Sequence, residues 1–446
     1  MFDWIDRRIA ALCCLAPGDL SRLGPFFVLY AILFAALTMA DGMALTLFLG
    51  RVGADRLPLS YGLTAIGSMV AVGAYLRMAR HRSAPGVFQS ILIGVSGVFL
   101  ISWAAGLGLL GDAPGRAAPA VFFAAREIAL VLVLAHFGTF LQEYFTRVDL
   151  NRILPIVYAG GRFGGLAGGA MLEHLGPALG VLQLAPVIST LMLAGAFVVA
   201  ILAKRLPPAP DDPITPVSDS ANASGGLARS PLFRCLVLSS GLFMIVRWFL
   251  NYEYNHFFEH HFSSEAELAA FLGWYTQWAL LASFVVQLFV VNRLVRSAGL
   301  RGAVALTVVL LLIGMGRNLW ELTLLAAVWS RLLETELRFG LRNPINQLVT
   351  NQFSRPDRLR VRAWTLGALN PVAALIGSIA LGTLQLTGLS SWIPPFGFAL
   401  ALLHALASLA LIRHLQDPAS ASPTPHPSRA PRIVSRARFA QSSRIV

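Results

Sequence analysis

GPFFVLYAILFAALTMADGMALTLFLG, residues 24–50, is 27 residues long and contains a single charged side chain, Asp41. About 20 apolar residues in a helix rising about 1.5 Å each cross a hydrocarbon core roughly 30 Å thick. The run therefore reads as a transmembrane helix. A carboxylate inside it reads as a working residue, because a charge at the bilayer centre is costly. Eleven more apolar runs follow, at 58–80, 86–110, 118–146, 151–175, 177–203, 231–258, 266–292, 301–319, 321–349, 359–387 and 391–413. Turn residues stand between several of them: Leu57-Pro58, Ala84-Pro85-Gly86, Asp112-Ala113-Pro114-Gly115 and Gly176-Pro177. The expected fold class is all-α, a polytopic membrane protein of about twelve transmembrane helices.

Composition supports this. Only 13% of the 446 residues are charged, against about 25% in soluble domains, and 56% are hydrophobic. A cytosolic enzyme and a disordered scaffold are excluded. Three cysteines, with Cys13 and Cys14 adjacent, make no disulfide framework.

The formal net charge is +13, and Lys204 is the only lysine. With the N-terminus placed inside and the runs alternating, 25 basic residues fall on the cytoplasmic side. Four fall outside: Arg51, Arg56, Arg116 and Arg317. This bias fits the positive-inside rule, with both termini cytoplasmic, and the charge then requires no nucleic-acid partner. The acidic stretch Glu253–Glu267 is expected in an outer loop.

The longest internal break, 205–230, carries Pro207-Pro208-Ala209-Pro210-Asp211-Asp212-Pro213 and reads as a flexible linker. It divides the chain into an N-terminal interfacial segment (1–23), a six-helix half (24–204), the cytoplasmic linker (205–230), a second six-helix half (231–414) and a basic tail expected to be disordered (415–446). The acids Asp3 and Asp6 beside Arg7 and Arg8, and the short run after them, do not read as a signal peptide. Two six-helix halves joined by a cytoplasmic linker resemble the layout of major-facilitator-type transporters, whose halves are related about the membrane normal.

Six arginines lie inside the proposed spans: Arg126, Arg162, Arg247, Arg331, Arg338 and Arg342. Charges this deep face a cavity or one another rather than lipid. Arg126, Glu127, Arg162, Arg331 and Glu334 are expected to line a substrate cavity, joined by Asp41 as an arginine counter-ion and by Arg247. Arg126 and Glu127 are about 100° apart on a helix and are not expected to pair. Arg331, Glu334 and Arg338 are spaced i, i+3, i+7, which would make one polar stripe. Glu336, Arg338 and Arg342, near a span end, are expected to act as a gate or structural clamp. The arginine surplus points to an anionic solute, since guanidinium binds carboxylate and phosphate bidentately.

Other features read more plainly. Gly160, Gly164 and Gly168, with Gly161, Gly165 and Gly169, form two smooth strips for close helix packing. A phosphate cradle is the poorer reading, because no strand precedes them and no Lys-Ser/Thr follows. Trp248, Tyr252 and Tyr254 read as an interfacial aromatic belt, with ring stacking on a substrate as the alternative. His256, His260 and His261 have a metal-like spacing without a second ligand cluster, so no metal is expected. His136 and His404 read as packed histidines or, alternatively, proton relays. No P-loop, catalytic triad or nucleophile elbow is present, so neither an enzyme nor a cofactor is expected.

A set of segments resembles the bacterial and plastid ADP/ATP translocase family. They are Pro17-Gly18-Asp19, Gly53-Ala54-Asp55-Arg56-Leu57-Pro58-Leu59-Ser60-Tyr61, Phe137-Gly138-Thr139-Phe140, Arg152-Ile153-Leu154-Pro155, Tyr252-Glu253-Tyr254-Asn255, Phe262-Ser263-Ser264-Glu265-Ala266-Glu267, Gln287, Leu341-Arg342-Asn343-Pro344 and Arg360-Val361-Arg362. The resemblance spans about 15–390. It implies nucleotide exchange across a bacterial inner membrane by alternating access. The family's exchangers use lysines within the membrane, whereas no span here contains one. The expected partners are the lipid bilayer and a small anionic solute, which the resemblance makes a nucleotide. The alternatives are proton-coupled transport of another anion or a lipid headgroup, with His136 or Glu127 as the coupling group, and a non-transporting sensor of the same fold.

Overall fold

The structure, a computed structural model, describes residues 19–207, 227, 229–320, 322–353, 357, 358, 361, 364, 365 and 369–415. Residues 1–18 of the interfacial segment, most of the linker, the basic tail from 416 onward, and Arg355, Arg360 and Arg362 lie outside the described residues, while 19–23 belong to the first helix rather than to a separate segment.

Thirteen helices are labelled here: α1 (Asp19–Arg51), α2 (Leu57–Ala79), α3 (Ala84–Gly106), α4 (Asp112–Gln142), α5 (Arg147–Leu179), α6 (Leu184–Arg205), α7 (Pro231–His261), α8 (Glu265–Val285), α9 (Val291–Asn318), α10 (Leu324–Glu334), α11 (Asn343–Thr350), α12 (Leu369–Leu386) and α13 (Ile393–His414). Ten described helices are long and apolar enough to cross a membrane. Apart from these run α5, diluted by glycine and charge, and the interrupted stretch 324–350. The protein is a multi-pass, all-α membrane protein.

α1 packs on α4, α5 and α6, while α3 joins α4 to α6. In the second group α7 packs on α10, α12 and α13, and α9 on α10 and α13. Two seams join the groups: α8 lies along α5 and α1, and α12 lies along α2.

The glycine strips explain how α5 packs on α1 and, across the first seam, on α8. A Cβ on Gly160, Gly164 or Gly168 would meet the backbone oxygens of Phe27, Ala31 and Ala35 at 2.5, 2.0 and 2.4 Å. The second strip turns from α1 to α8. A Cβ on Gly161 would strike Tyr30, one on Gly165 would meet Leu280, and one on Gly169 would lie 3.0 Å from the carbonyl oxygen of Gly273. The glycines thus let three helices approach backbone to backbone. Gly164→Ala is expected to destabilise the protein by about 1–3 kcal/mol through overpacking. Gly94→Ala, whose new methyl meets nothing within 4 Å, should not destabilise it. Thermal unfolding of both variants in detergent checks the contrast. Equal midpoints would show that the strip does not hold α5 against α1.

Several boundaries differ from those the sequence suggests. Gly176-Pro177 is not a break. α5 continues to Leu179 and stops at Gly180, whose φ of 91° is open to glycine. Pro177 removes only one N–H from a last turn, a loss the helix tolerates. Nor is 293–300 a loop between spans. It is helical except at Gly299, where φ is 68°. A π-turn, Val286–Val290, precedes α9. The stretch 321–349 is not one regular helix: α10 ends at Glu334, and a π-turn covers Arg338–Arg342. Glu253 is not in an outer loop, because α7 runs through it to His261.

Candidate functional site

Asp41 is ten residues before the end of α1, which places it about 15 Å from the Arg51 end, near mid-membrane. Its neighbours Ala40 and Met43 are buried, yet its side chain is 45% exposed. It therefore faces an opening between helices. Two arginines converge on it from opposite groups. Arg126 of α4 bonds one carboxylate oxygen, and Arg331 Nη2 of α10 lies 3.3 Å from the other. The sequence suggested one arginine partner, and the structure shows two.

Arg126 also lies 3.7 Å from Glu127, contrary to the expectation that they stay apart. Adjacent Cα–Cβ directions differ by about 100°, but a guanidinium on a long stem can swing back to its neighbour. Arg126 and Arg331 are both nearly buried, and each has an Nε with no hydrogen-bond partner. Aromatic faces offset part of their desolvation. Arg126 stands over Phe123 at 4.3 Å, and Arg331 stands between Tyr254 at 5.5 Å and Tyr275 at 5.3 Å.

Glu334, 1% exposed, belongs to a second ion pair, with Arg247 of α7. It also accepts from Tyr254 Oη at 3.0 Å. Tyr254 in turn accepts from Asn251 Nδ2, and Asn251 Oδ1 accepts from Tyr61 of α2 at 2.6 Å. A buried polar chain thus runs from the first group, through α7, to α10. This corrects the aromatic-belt reading. Tyr252 and Tyr254 are 5% and 1% exposed, and the ring of Trp248 packs at a tilt against Tyr61 with centroids 4.5 Å apart. Their hydroxyls find protein partners rather than headgroups.

Arg331 and Glu334 of the expected stripe both face Tyr254, but they divide between two ion pairs. Arg331 reaches Asp41 while Glu334 reaches Arg247. A π-turn holds an extra residue and rotates the side chains of its segment, so Arg338 leaves the register. Glu336 faces Arg162 of α5 at 3.8 Å, and Arg162 also donates to Gln287 at 3.2 Å. Among the described residues, Arg338 and Arg342 pair with no carboxylate. They line a small cleft with Phe243, Leu311 and Leu341, and Arg342 stands 3.5 Å over Phe243. The arrangement counts six guanidiniums and four carboxylates: Asp41, Glu127, Glu334 and Glu336.

At the Arg51 end the groups are latched. Arg51 makes a two-pronged contact with Glu265 at 2.7 and 3.1 Å. The backbone N–H of Ala54 donates to Glu259 at 2.9 Å, and Ser378 donates to the carbonyl of Pro58.

The remaining titratable candidates are packed. His136 contacts Tyr75 Oη at 3.2 Å and the Ala84 carbonyl at 2.7 Å. His404 lies 2.9 Å from the Ser239 carbonyl and 3.4 Å from Arg342 Nη1. The first contact makes Nδ1 the protonated nitrogen and leaves Nε2 to accept from the guanidinium. The rings of His256 and His260 stack at 4.6 Å, and among the described residues no His, Cys, Asp and Glu group is placed to hold a metal.

Tyr275 joins the site without having been singled out, and Tyr61 and Gln287, named above only within the resembling segments, join it as partners of Asn251 and Arg162. The signal available for them was a polar side chain inside an apolar run.

No family model matches the chain, and no curated protein matches it. Solved structures do. The nucleoside transporter NupG aligns at TM-score 0.62 and 12% identity over 88% of this chain and 99% of its own. A bacterial homologue of the iron transporter ferroportin, inward-facing, aligns at 0.62 and 14% over 88% and 99%. The POT family transporter PepTSo aligns at 0.56 and 12% over 87% and 97%. At these identities the likeness is one of fold, and that fold is major-facilitator-like.

Proposed function

We propose that this chain is a secondary transporter that moves a small anionic solute by alternating access. One observation carries the reading. Asp41, open to a cleft near mid-membrane, bridges Arg126 and Arg331 from opposite helix groups. An incoming anion competes with Asp41 for the same two guanidiniums. Binding therefore unties a contact between the groups, which makes solute affinity differ between two arrangements of the helices, as alternating access requires. The sequence segments 24–204 and 231–414 are read as the two rocking halves, joined by the linker at 205–230. Arg162 with Glu336, and Arg338 with Arg342, are read as the gate on the far side of the cavity from the Arg51 latch. Both termini are read as cytoplasmic and the membrane as the bacterial inner membrane, on the arginine bias and the family resemblance.

The solute is read as nucleotide-like, with ADP/ATP-type exchange. The surplus of guanidinium over carboxylate supports a multiply charged phosphate. The segments resembling the ADP/ATP translocase family support the nucleotide. The test is uptake of labelled ATP and ADP by intact bacteria expressing the chain. Saturable uptake, chased out by unlabelled nucleotide, is expected. Absence of uptake with folded protein in the membrane would remove the nucleotide and direct the search to other anions.

A further inference from the structure

One buried acid takes no part in the arginine cluster. Glu253 of α7 is 4% exposed. Its Oε2 accepts from Asn318 Nδ2 at the end of α9, and Asn318 exchanges hydrogen bonds of 3.2 Å with Ser330 of α10. Its Oε1 is buried without a hydrogen-bond partner, and among the described residues no cation pairs with Glu253.

The surrounding charges are engaged elsewhere or exposed. On α10, Arg331 is held by Asp41 and Glu334 by Arg247. On α9, Arg317 is exposed. The described residues of α12 include no titratable side chain. On α13, His404 is bonded to Ser239 and Arg342, and Arg413 and His414 are exposed at its end. Asp55 and Arg56, in the segment packed on α7, are exposed. On α7 itself, Arg247 holds Glu334, Tyr252 bonds Gln385, Tyr254 bonds Glu334, Glu259 takes the Ala54 N–H, His256 and His260 stack together, and His261 stacks on Phe257. A lone carboxylate in such a place loses far more solvation than a neutral acid does.

We propose that Glu253 is a proton-binding site, occupied at neutral pH, and that its proton is the ion coupled to solute movement. The second clause rests on the transporter reading; the first does not. Water reaching the site in one arrangement of the helices delivers a proton to Oε1, and water in the other removes it. Glu253 touches α9 and α10 through Asn318 and Ser330, and Ser330 immediately precedes Arg331. Loss of the proton leaves a bare charge at this junction, so it favours an arrangement that wets it. That arrangement also moves the arginine that holds Asp41. Proton and solute are then linked through one helix, and by reciprocity each alters the other's affinity.

The first arm of the test needs no solute. Infrared difference spectra of the purified full-length protein in lipid are expected to show, at neutral pH, a carboxylic-acid carbonyl band that is absent from Glu253→Gln. In Asn318→Leu the band should persist and shift to higher frequency, because the carbonyl loses its donor. This keeps the arm decisive if Glu253→Gln does not fold. No such band at neutral pH, or a band indifferent to both substitutions, overturns the site. The second arm uses labelled ADP in proteoliposomes. Wild-type protein under an acid-outside gradient should accumulate it about 10-fold above the level with an uncoupler. Glu253→Gln should keep ADP–ADP exchange and lose the gradient-driven excess. Equal accumulation by both proteins overturns the coupling. A wild type that takes up no ADP counts against the nucleotide reading, while the infrared arm still decides the site.

Discussion

Arg331→Ala is expected to lower the initial rate of solute uptake by about 100-fold at matched membrane level, the loss typical when one cationic clamp on a transferred anion is removed. Arg331 is nearly buried, reaches Asp41 across the seam, and lies between the rings of Tyr254 and Tyr275. A lysine there would keep the charge but not the planar fork, so Arg331→Lys should recover only a small part of the rate. Asp41→Ala should behave differently. It removes the internal competitor for the guanidiniums, so the apparent KM should fall. It also removes the bridge that re-forms when solute leaves, so kcat should fall with it. Kinetics in proteoliposomes separate the two patterns. If Arg331→Ala stays within a factor of about three of wild type, the anion path does not pass this residue.

The second large effect concerns folding. Glu334→Ala strands the guanidinium of Arg247 beside Trp248 with its carboxylate gone, and deprives Tyr254 of its acceptor. Breaking a buried pair from one side costs about 3–5 kcal/mol, whereas replacing both partners by apolar residues is often near neutral. The expected order of thermal midpoints in detergent is therefore wild type, then Arg247→Met with Glu334→Leu, then Glu334→Ala well below both. Arg116→Ala, on an exposed side chain, is the reference. If Glu334→Ala unfolded no earlier than Arg116→Ala, the pair would not be holding α7 to α10.

The class of fold was legible because the bilayer imposes one rule, about 20 apolar residues per crossing, and the run at 24–50 obeys it. The glycine strips were legible because a four-residue spacing maps directly onto one helix face. Details depending on backbone irregularity were not. The π-turn at Arg338–Arg342 changes which side chains share a face, and no residue type announces it. Gly176-Pro177 carried the stronger turn signal, yet the chain turns at Gly180, since one proline near a helix end costs little. The arginines were visible as a group, but their partners were not, because Asp41 and Arg331 are separated by 290 positions. Glu253 looked like a loop residue because three more acids, Glu259, Glu265 and Glu267, follow it within 14 positions. Only its contact with Asn318 shows that α7 carries it inward.

Counted over the central ion pairs and the gate together, guanidiniums exceed carboxylates by two, and that excess, carried by Arg338 and Arg342, has an electrical consequence. An empty carrier would swing with a net positive charge along this path, and one loaded with a phosphate-bearing anion would swing with most of that charge cancelled. A membrane voltage does work of about 2.3 kcal/mol per elementary charge for each 100 mV crossed. An inside-negative potential would then act on the empty return step and leave the loaded step nearly untouched. Current recorded from oriented membranes should accompany net uptake and disappear during one-for-one exchange of identical solutes.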